Sequence, residues 1–105
     1  MKDKLLKIIS FYGIDKQLKY IHSEYFELDE AIMDAEKFKP KSFTQIGINL
    51  ENYTNHVAEE LADVMVMLKQ IQYYYDIKDE EIKKIMEKKV NRQLDRIEKE
   101  KMMRK

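Results

Sequence analysis

Apolar side chains recur every three or four residues through most of this sequence, which is the spacing of amphipathic α-helices. One such run extends from about Asp15 to Phe38 and predicts a single long helix. Another extends from about Thr54 to Tyr75 and predicts a further long helix. The apolar positions that define the two runs are Leu18, Ile21, Tyr25, Leu28, Ile32 and Ala35, followed by Val57, Leu61, Val64, Leu68 and Ile71.

Helix-breaking residues separate these segments. Gly13 predicts the end of a first helix over residues 2–12, because glycine commonly follows the last turn of a helix. Pro40 ends the next helix, since proline disfavours helical geometry in the residue before it. Residues 39–53 are therefore predicted to form a loop with room for one helical turn, and loops of that length are often functional.

The composition favours an all-α fold. The chain contains Gly 2 and Pro 1, whereas strand-and-turn architectures use both residues freely. A fourth helix is predicted from about Asp79, and it passes into a charged tail from about residue 98. We expect one domain over residues 1–105, a small bundle of about four helices whose modest core is completed by oligomerisation.

Charge and cysteine content exclude several classes of function. The formal net charge is +0, so we expect no nucleic-acid partner. The chain has no cysteine, which excludes disulfides, thiolate metal sites and cysteine nucleophiles. The N-terminal residues lack the apolar run of a signal peptide, and no stretch has the length of a membrane span. We therefore expect a cytoplasmic protein with no membrane partner.

Two pairs of carboxylates fall where a core-facing helix usually carries apolar side chains. Glu24 and Glu27 form one pair, and Glu60 and Asp63 form the other. Residues three apart lie on the same helix face, and a helical wheel places both pairs at the edge of the apolar stripe. Glu59, by contrast, points away from the stripe. If the two helices pack together, the four carboxylates converge.

A partly buried group of four carboxylates requires positive charge nearby. A hard divalent cation with oxygen ligands would supply it, and so would ion pairs with lysine and arginine. The pattern of residues leaves both alternatives open.

A basic ridge on the fourth helix adds to the first alternative. Lys89, Arg92 and Arg96 follow one side of this helix, close to its apolar stripe. Guanidinium and ammonium groups both suit phosphate oxygens, so the ridge is a candidate phosphate-binding surface. It is equally a candidate for salt bridges to the carboxylates or for a solvated face.

Three segments together resemble a known family. Residues 23–28, SEYFEL, resemble the first acidic motif, ExxE, of the MazG-like all-α nucleoside triphosphate pyrophosphohydrolases, and residues 59–64, EELADV, resemble their second motif, ExxD. Residues 88–96, KKVNRQLDR, resemble the basic segment that follows in this family. The order and spacing of the motifs carry the resemblance, which covers roughly residues 15–97.

The resemblance implies an enzyme that hydrolyses nucleoside triphosphates between the α and β phosphates, giving a monophosphate and pyrophosphate. It implies Mg²⁺, or Mn²⁺ in its place, as the cofactor, held by Glu24, Glu27, Glu60 and Asp63, in a homodimer or homotetramer. Glu27 is the candidate catalytic base. This chain departs from many members in having Ser23 where they carry a further glutamate.

The same resemblance implies that the basic ridge binds the phosphates of the substrate. The aromatic residues that flank the loops are candidates to cover the nucleobase. They are Tyr12, Phe38, Phe43 and Tyr53.

A helical dimerisation or protein-interaction module is the alternative without enzymatic activity. It would account for the apolar stripes and the charged tail. It would not account for two stripes that carry carboxylates at matched places. Magnesium separates the two hypotheses, because a site of four carboxylates should be stabilised by the cation.

Overall fold

The computed structural model describes the backbone of residues 1–38 and 46–104, and the side chains of residues 1–37 and 52–104. The described residues contain four helices and no strand, which confirms the all-α fold class. The helices are α1 (Lys2–Tyr12), α2 (Ile14–Phe38), α3 (Ile46–Tyr74) and α4 (Asp79–Met103).

Gly13 forms the corner between α1 and α2, as the sequence predicted. Its N–H donates to the Ile9 carbonyl at 2.8 Å, and its own carbonyl accepts from the Gln17 N–H at 3.2 Å. One residue therefore ends α1 and supplies the first acceptor of α2. Its backbone has φ 88° and ψ 152°, a region that residues with a Cβ rarely enter.

Replacing Gly13 by alanine is expected to lower the free energy of unfolding by about 1–3 kcal/mol. No atom lies within 4 Å of the position that the new Cβ would occupy, so the cost comes from the backbone conformation itself. Urea denaturation followed by circular dichroism measures it. Ser10→Ala, at an exposed position within α1, is the control, and equal stability of the two variants would contradict the argument.

Helix α3 begins earlier than the sequence predicted. Thr54 was expected at its start, whereas the helix begins at Ile46. The spacing of Ile46, Leu50 and Tyr53 by four and three residues is compatible with a helix. The low helix propensity of Gly47 makes this helix less stable by only about 1 kcal/mol relative to alanine at the same position. The rest of the predicted loop, including Pro40, lies outside the described residues.

The link between α3 and α4 contains a residue in left-handed backbone geometry, Asp76, at φ 55°. Aspartate tolerates this conformation better than most residues do. Helix α4 then begins at Asp79, as predicted, and acidic residues fill its first turn, where they favour the positive end of the helix dipole. The tail expected from about residue 98 is helical as far as Met103, because lysine, glutamate and methionine are strong helix formers.

The chain divides into two compact units, Met1–Tyr74 and Tyr75–Lys105. In the first unit α2 packs against α3, and α1 packs against both. The second unit contains α4, in which no residue is buried. The buried apolar side chains of the first unit are Leu5, Ile9, Leu28, Ala31, Val64 and Met67.

The core of the first unit is smaller than the predicted apolar stripes. Leu28 and Val64 are buried, whereas Tyr25 is 63% exposed and Leu68 is 52% exposed. A unit of three helices covers one side of each helix, so part of each stripe stays on the surface. The stripe residues left largely exposed are Leu18, Tyr25, Ile32, Leu61 and Leu68.

No helix in the described part of the chain combines the length and the apolar character that crossing a membrane requires.

Candidate metal centre and adjoining cavity

Helices α2 and α3 run antiparallel, and two pairs of polar side chains fix their register. Near the start of α2, Gln17 Nε2 donates to Gln70 Oε1 at 2.8 Å. Two turns further along α2, Glu24 lies beside Asp63, which is two turns earlier in α3 than Gln70. On each helix the glutamine and the carboxylate are two turns apart. The two glutamines therefore face each other at one position along the helix pair, and the carboxylates face each other two turns away.

The carboxylates form a compact group. An oxygen from each of Glu24, Glu60 and Asp63 lies within 4.8 Å of the other two. Glu27 joins them, because it lies close enough to raise the pKa of both Glu24 and Glu60 through its charge and through a hydrogen bond with their protonated forms. The structure therefore brings together all four side chains that the sequence singled out, and we name them the carboxylate cluster.

Burial within the cluster is uneven. Glu24 and Glu60 are half-buried, whereas Glu27 and Asp63 are exposed. One oxygen of Glu24 and one of Glu60, the Oε2 atom in each case, are buried and accept no hydrogen bond from any described residue. An ionised oxygen without a partner is costly to keep from water, so these two atoms call for a proton or a cation.

The pKa of Glu24 is raised above its ordinary value of 4.5. Partial removal from water is the main cause, because it penalises the charged form. The negative charges of Glu27 and Asp63 raise this pKa further, and so do the charge of Glu60 and the hydrogen bond with Glu27.

The pKa of Glu60 is also raised, again mainly because its carboxyl is withdrawn from water. The charges of Glu27 and Asp63 and the hydrogen bond with Glu27 act in the same direction. His56, one turn before Glu60 on α3, opposes them by lowering the pKa. The imidazole of His56 therefore lies close enough to act on the Glu60 carboxyl.

Ion pairing with the described residues of the first unit does not neutralise the cluster. Among its described residues, no lysine or arginine forms a salt bridge with Glu24 or Glu60. The remaining negative charge makes the cluster a suitable set of oxygen ligands for a hard divalent cation.

No protein-family model, curated protein or solved structure matches this chain.

A cavity of about 430 Å³ adjoins the carboxylate cluster, with Glu24 in its wall. Helices α1, α2 and α3 all contribute to it. This cavity could not be predicted from the sequence, since glutamine on a helix is most often solvated. Its polar and aromatic lining residues are Tyr12, Lys16, Gln17, Tyr20, Glu24 and Gln70, and we name it the glutamine cavity.

The other candidate residues are the three basic residues of α4 and the four aromatic residues. Lys89, Arg92 and Arg96 are exposed on α4, in the second unit. Of the four aromatic candidates for covering a base, Tyr12 lines the glutamine cavity and Tyr53 is half-buried on α3. The side chains of Phe38 and Phe43 lie outside the described residues.

Proposed function

We propose that this chain is a magnesium-dependent nucleoside triphosphate pyrophosphohydrolase resembling the MazG family. It would hydrolyse the bond between the α and β phosphates and release a nucleoside monophosphate and pyrophosphate. The observation that carries the proposal is the convergence of two carboxylate pairs, from α2 and α3, around two buried oxygens that have no partner among the described residues.

The residues fit a magnesium ion. Carboxylate oxygens are the ligands that Mg²⁺ prefers, and Glu24, Glu60 and Asp63 present them within 4.8 Å of one another. A bound cation would satisfy the buried oxygens of Glu24 and Glu60, which have no partner in the part of the chain that the structure describes. It would supply Lewis-acid polarisation of a phosphoryl oxygen and a more acidic water.

Glu27 is suited to a different role from Glu24 and Glu60. Its side chain is exposed, so it is accessible to a water molecule that approaches the substrate. It lies close enough to Glu24 and Glu60 for its charge to raise the pKa of both, which places it at the cluster. We assign Glu27 as the general base that takes a proton from the attacking water, in addition to its part in holding the cation.

Lys89, Arg92 and Arg96 are assigned to the phosphates of the substrate. Their spacing places them along one side of α4, and all three side chains are exposed. Guanidinium groups offer paired donors to phosphate oxygens, and positive charge there stabilises negative charge that develops on the leaving pyrophosphate.

Pyrophosphate release from a panel of ribo- and deoxyribonucleoside triphosphates tests the proposal, with Mg²⁺ in one series and a chelator in the other. We expect metal-dependent pyrophosphate and the corresponding monophosphate from at least one nucleotide. Orthophosphate as the first product would indicate cleavage at the γ phosphate and contradict the assigned bond. No product from any nucleotide, with the protein folded, would contradict the proposed activity.

Association of copies is part of the same proposal. Large apolar side chains remain exposed on both units, among them Tyr25 and Leu68 in the first and Leu94 in the second. Contiguous exposed apolar surface typically marks an interface. We therefore propose a homodimer or homotetramer, which sedimentation of the purified chain would test.

The exposed apolar side chains also favour the second candidate function, a helical interaction module without enzymatic activity. Such a module has no use for the carboxylate cluster, so its thermal stability should be the same with Mg²⁺ and with a chelator. Stabilisation by Mg²⁺ would argue against it, because a ligand that binds only the folded chain raises stability in proportion to the logarithm of its concentration.

A further inference from the structure

The two glutamines of the glutamine cavity are buried polar groups with unused hydrogen-bonding capacity. Gln70 is 2% exposed and Gln17 is 5% exposed. A glutamine side chain has two N–H donors and a carbonyl acceptor, and the Gln17–Gln70 hydrogen bond uses one donor and one acceptor. Among the described residues, their one further hydrogen-bond contact runs from Gln70 Nε2 to the Met67 sulfur at 3.8 Å, and thioether sulfur is a weak acceptor.

The carbonyl of Gln17 and the amide N–H groups of Gln70 remain available for stronger hydrogen bonds. Both side chains line a cavity, so a ligand in the cavity can reach them. Gln17 Oε1 offers an acceptor, and Gln70 Nε2 offers a donor. A planar ring with a donor next to an acceptor on its edge, as every nucleobase has, complements this pair.

The remaining walls of the cavity suit the faces of such a ring. Tyr12 and Tyr20 are about half exposed, so their rings are accessible for stacking, which tolerates any base. Phe11 packs edge-to-face on Tyr12 with ring centroids 4.9 Å apart, and the Lys16 ammonium lies 5.0 Å from the centre of the Tyr12 ring. These contacts hold Tyr12 at the mouth of the cavity.

The position of the cavity relates it to the carboxylate cluster. Gln17 and Glu24 are two turns apart on α2, which separates them by about 10 Å along the helix axis. Both side chains line the same cavity. A ligand with a base at one end and phosphates at the other therefore has a place for each end.

We infer that the glutamine cavity binds the nucleobase, and that Gln17 and Gln70 read its hydrogen-bonding edge. This inference rests on the proposed function for the phosphate end of the ligand and deepens it by assigning base selectivity to two residues. The protein would accordingly distinguish nucleotides by their bases. Inorganic polyphosphates would bind more weakly, because they lack the contacts that the base makes.

Binding of free nucleosides tests the inference without phosphate or metal. The four common ribonucleosides and their deoxy counterparts are titrated into ¹⁵N-labelled protein, and the side-chain amide resonances are followed by NMR. We expect at least one nucleoside to shift the amides of Gln17 and Gln70 while leaving that of Gln93, on α4, unchanged. Absence of any shift at Gln17 and Gln70 with all nucleosides would overturn the inference.

Gln17→Met keeps the length of the side chain and removes its donor and acceptor. We expect this variant to bind the preferred nucleoside about 10- to 100-fold more weakly. We also expect the ratio of kcat/KM between the best and worst nucleoside triphosphates to fall toward one, mainly through KM. Gln93→Met, the same change at an exposed position, should alter neither quantity.

A second variant guards against loss of folding. Gln17→Met alone leaves Gln70 Oε1 without its partner, whereas Gln17→Met combined with Gln70→Met replaces both members of the pair, which is often nearly neutral for stability. The double variant should fold and lose base selectivity. If it folds and keeps the base preference of the wild type, the glutamines do not read the base.

The two proposals fail separately. Nucleoside binding at Gln17 and Gln70 without hydrolysis of any triphosphate would retain the base cavity and reject the proposed activity. Hydrolysis whose base preference survives the double variant would retain the activity and reject the base cavity.

Discussion

Glu60→Gln should abolish hydrolysis, lowering kcat by about 10²-fold or more, while the chain remains helical. The change keeps the shape of the side chain and removes the charge that a cation would need. Glu60 is suited to this test because, like Glu24, it has a buried oxygen without a partner among the described residues. The exposed Glu59 beside it also offers a matched control.

The same variant is expected to be more stable than the wild type when a chelator is present. At neutral pH the amide removes one negative charge from a partly buried group, and it relieves the repulsion from Glu27 and Asp63. Loss of activity together with gain of stability distinguishes a functional carboxylate from a structural one. Thermal unfolding in a chelator measures this, alongside pyrophosphate release in Mg²⁺.

Glu59→Gln is the matched control, one residue away on α3 and exposed. Both its activity and its stability should be close to those of the wild type. Wild-type turnover in Glu60→Gln, or a large loss in Glu59→Gln, would mean that the carboxylate cluster is not the active centre.

Magnesium is expected to stabilise the wild type, and the gain should depend on pH. A cation present at about 100 times its dissociation constant contributes about 2.7 kcal/mol to the free energy of unfolding. Protons compete for the same oxygens, so the gain should shrink as the pH falls. Thermal unfolding with and without Mg²⁺, from about pH 8 down to about pH 5, measures both effects.

The metal-free protein should show the opposite trend with pH. The pKa values of Glu24 and Glu60 are raised in the folded chain above their ordinary value of 4.5, so between 4.5 and the raised values the folded state binds more protons than the unfolded state. The contribution of these groups to stability therefore falls as the pH rises through that interval. It is recovered as the pH falls toward 4.5.

Glu24→Gln should reduce this pH dependence in the chelator, and Glu30→Gln, at an exposed position on α2, should not. If Mg²⁺ leaves the wild type unchanged at every pH, the carboxylate cluster is not a cation site, and the interaction module becomes the better hypothesis.

Much of the fold was predictable from local signals. The corner at Gly13 and the start of α4 at Asp79 follow from residue types whose backbone preferences dominate their surroundings. The start of α3 was not predictable, because Thr54 is one of several residues able to cap a helix, and because a helix tolerates a glycine such as Gly47 at a small local cost.

The carboxylate cluster was predictable because each pair lies within one turn of its own helix. A wheel drawn for Glu60 alone places it beside the apolar stripe, and the structure finds it half-buried. The glutamine pair was not predictable, because its two members are 53 residues apart. The hydrogen-bond partner of Gln17 can be identified only when the residue that faces it on α3 is known.

The shared register of α2 and α3 also limits how such a site can change. Helices offer side chains only at increments of about 1.5 Å and about 100°, so the gap between Gln17 and Glu24 cannot be lengthened gradually. Insertion of one residue between them would rotate one end of the site by about a quarter-turn around the helix axis relative to the other end. Adaptation to a different ligand would therefore proceed by exchanging side chains in place, with the spacing between the two ends left as it is.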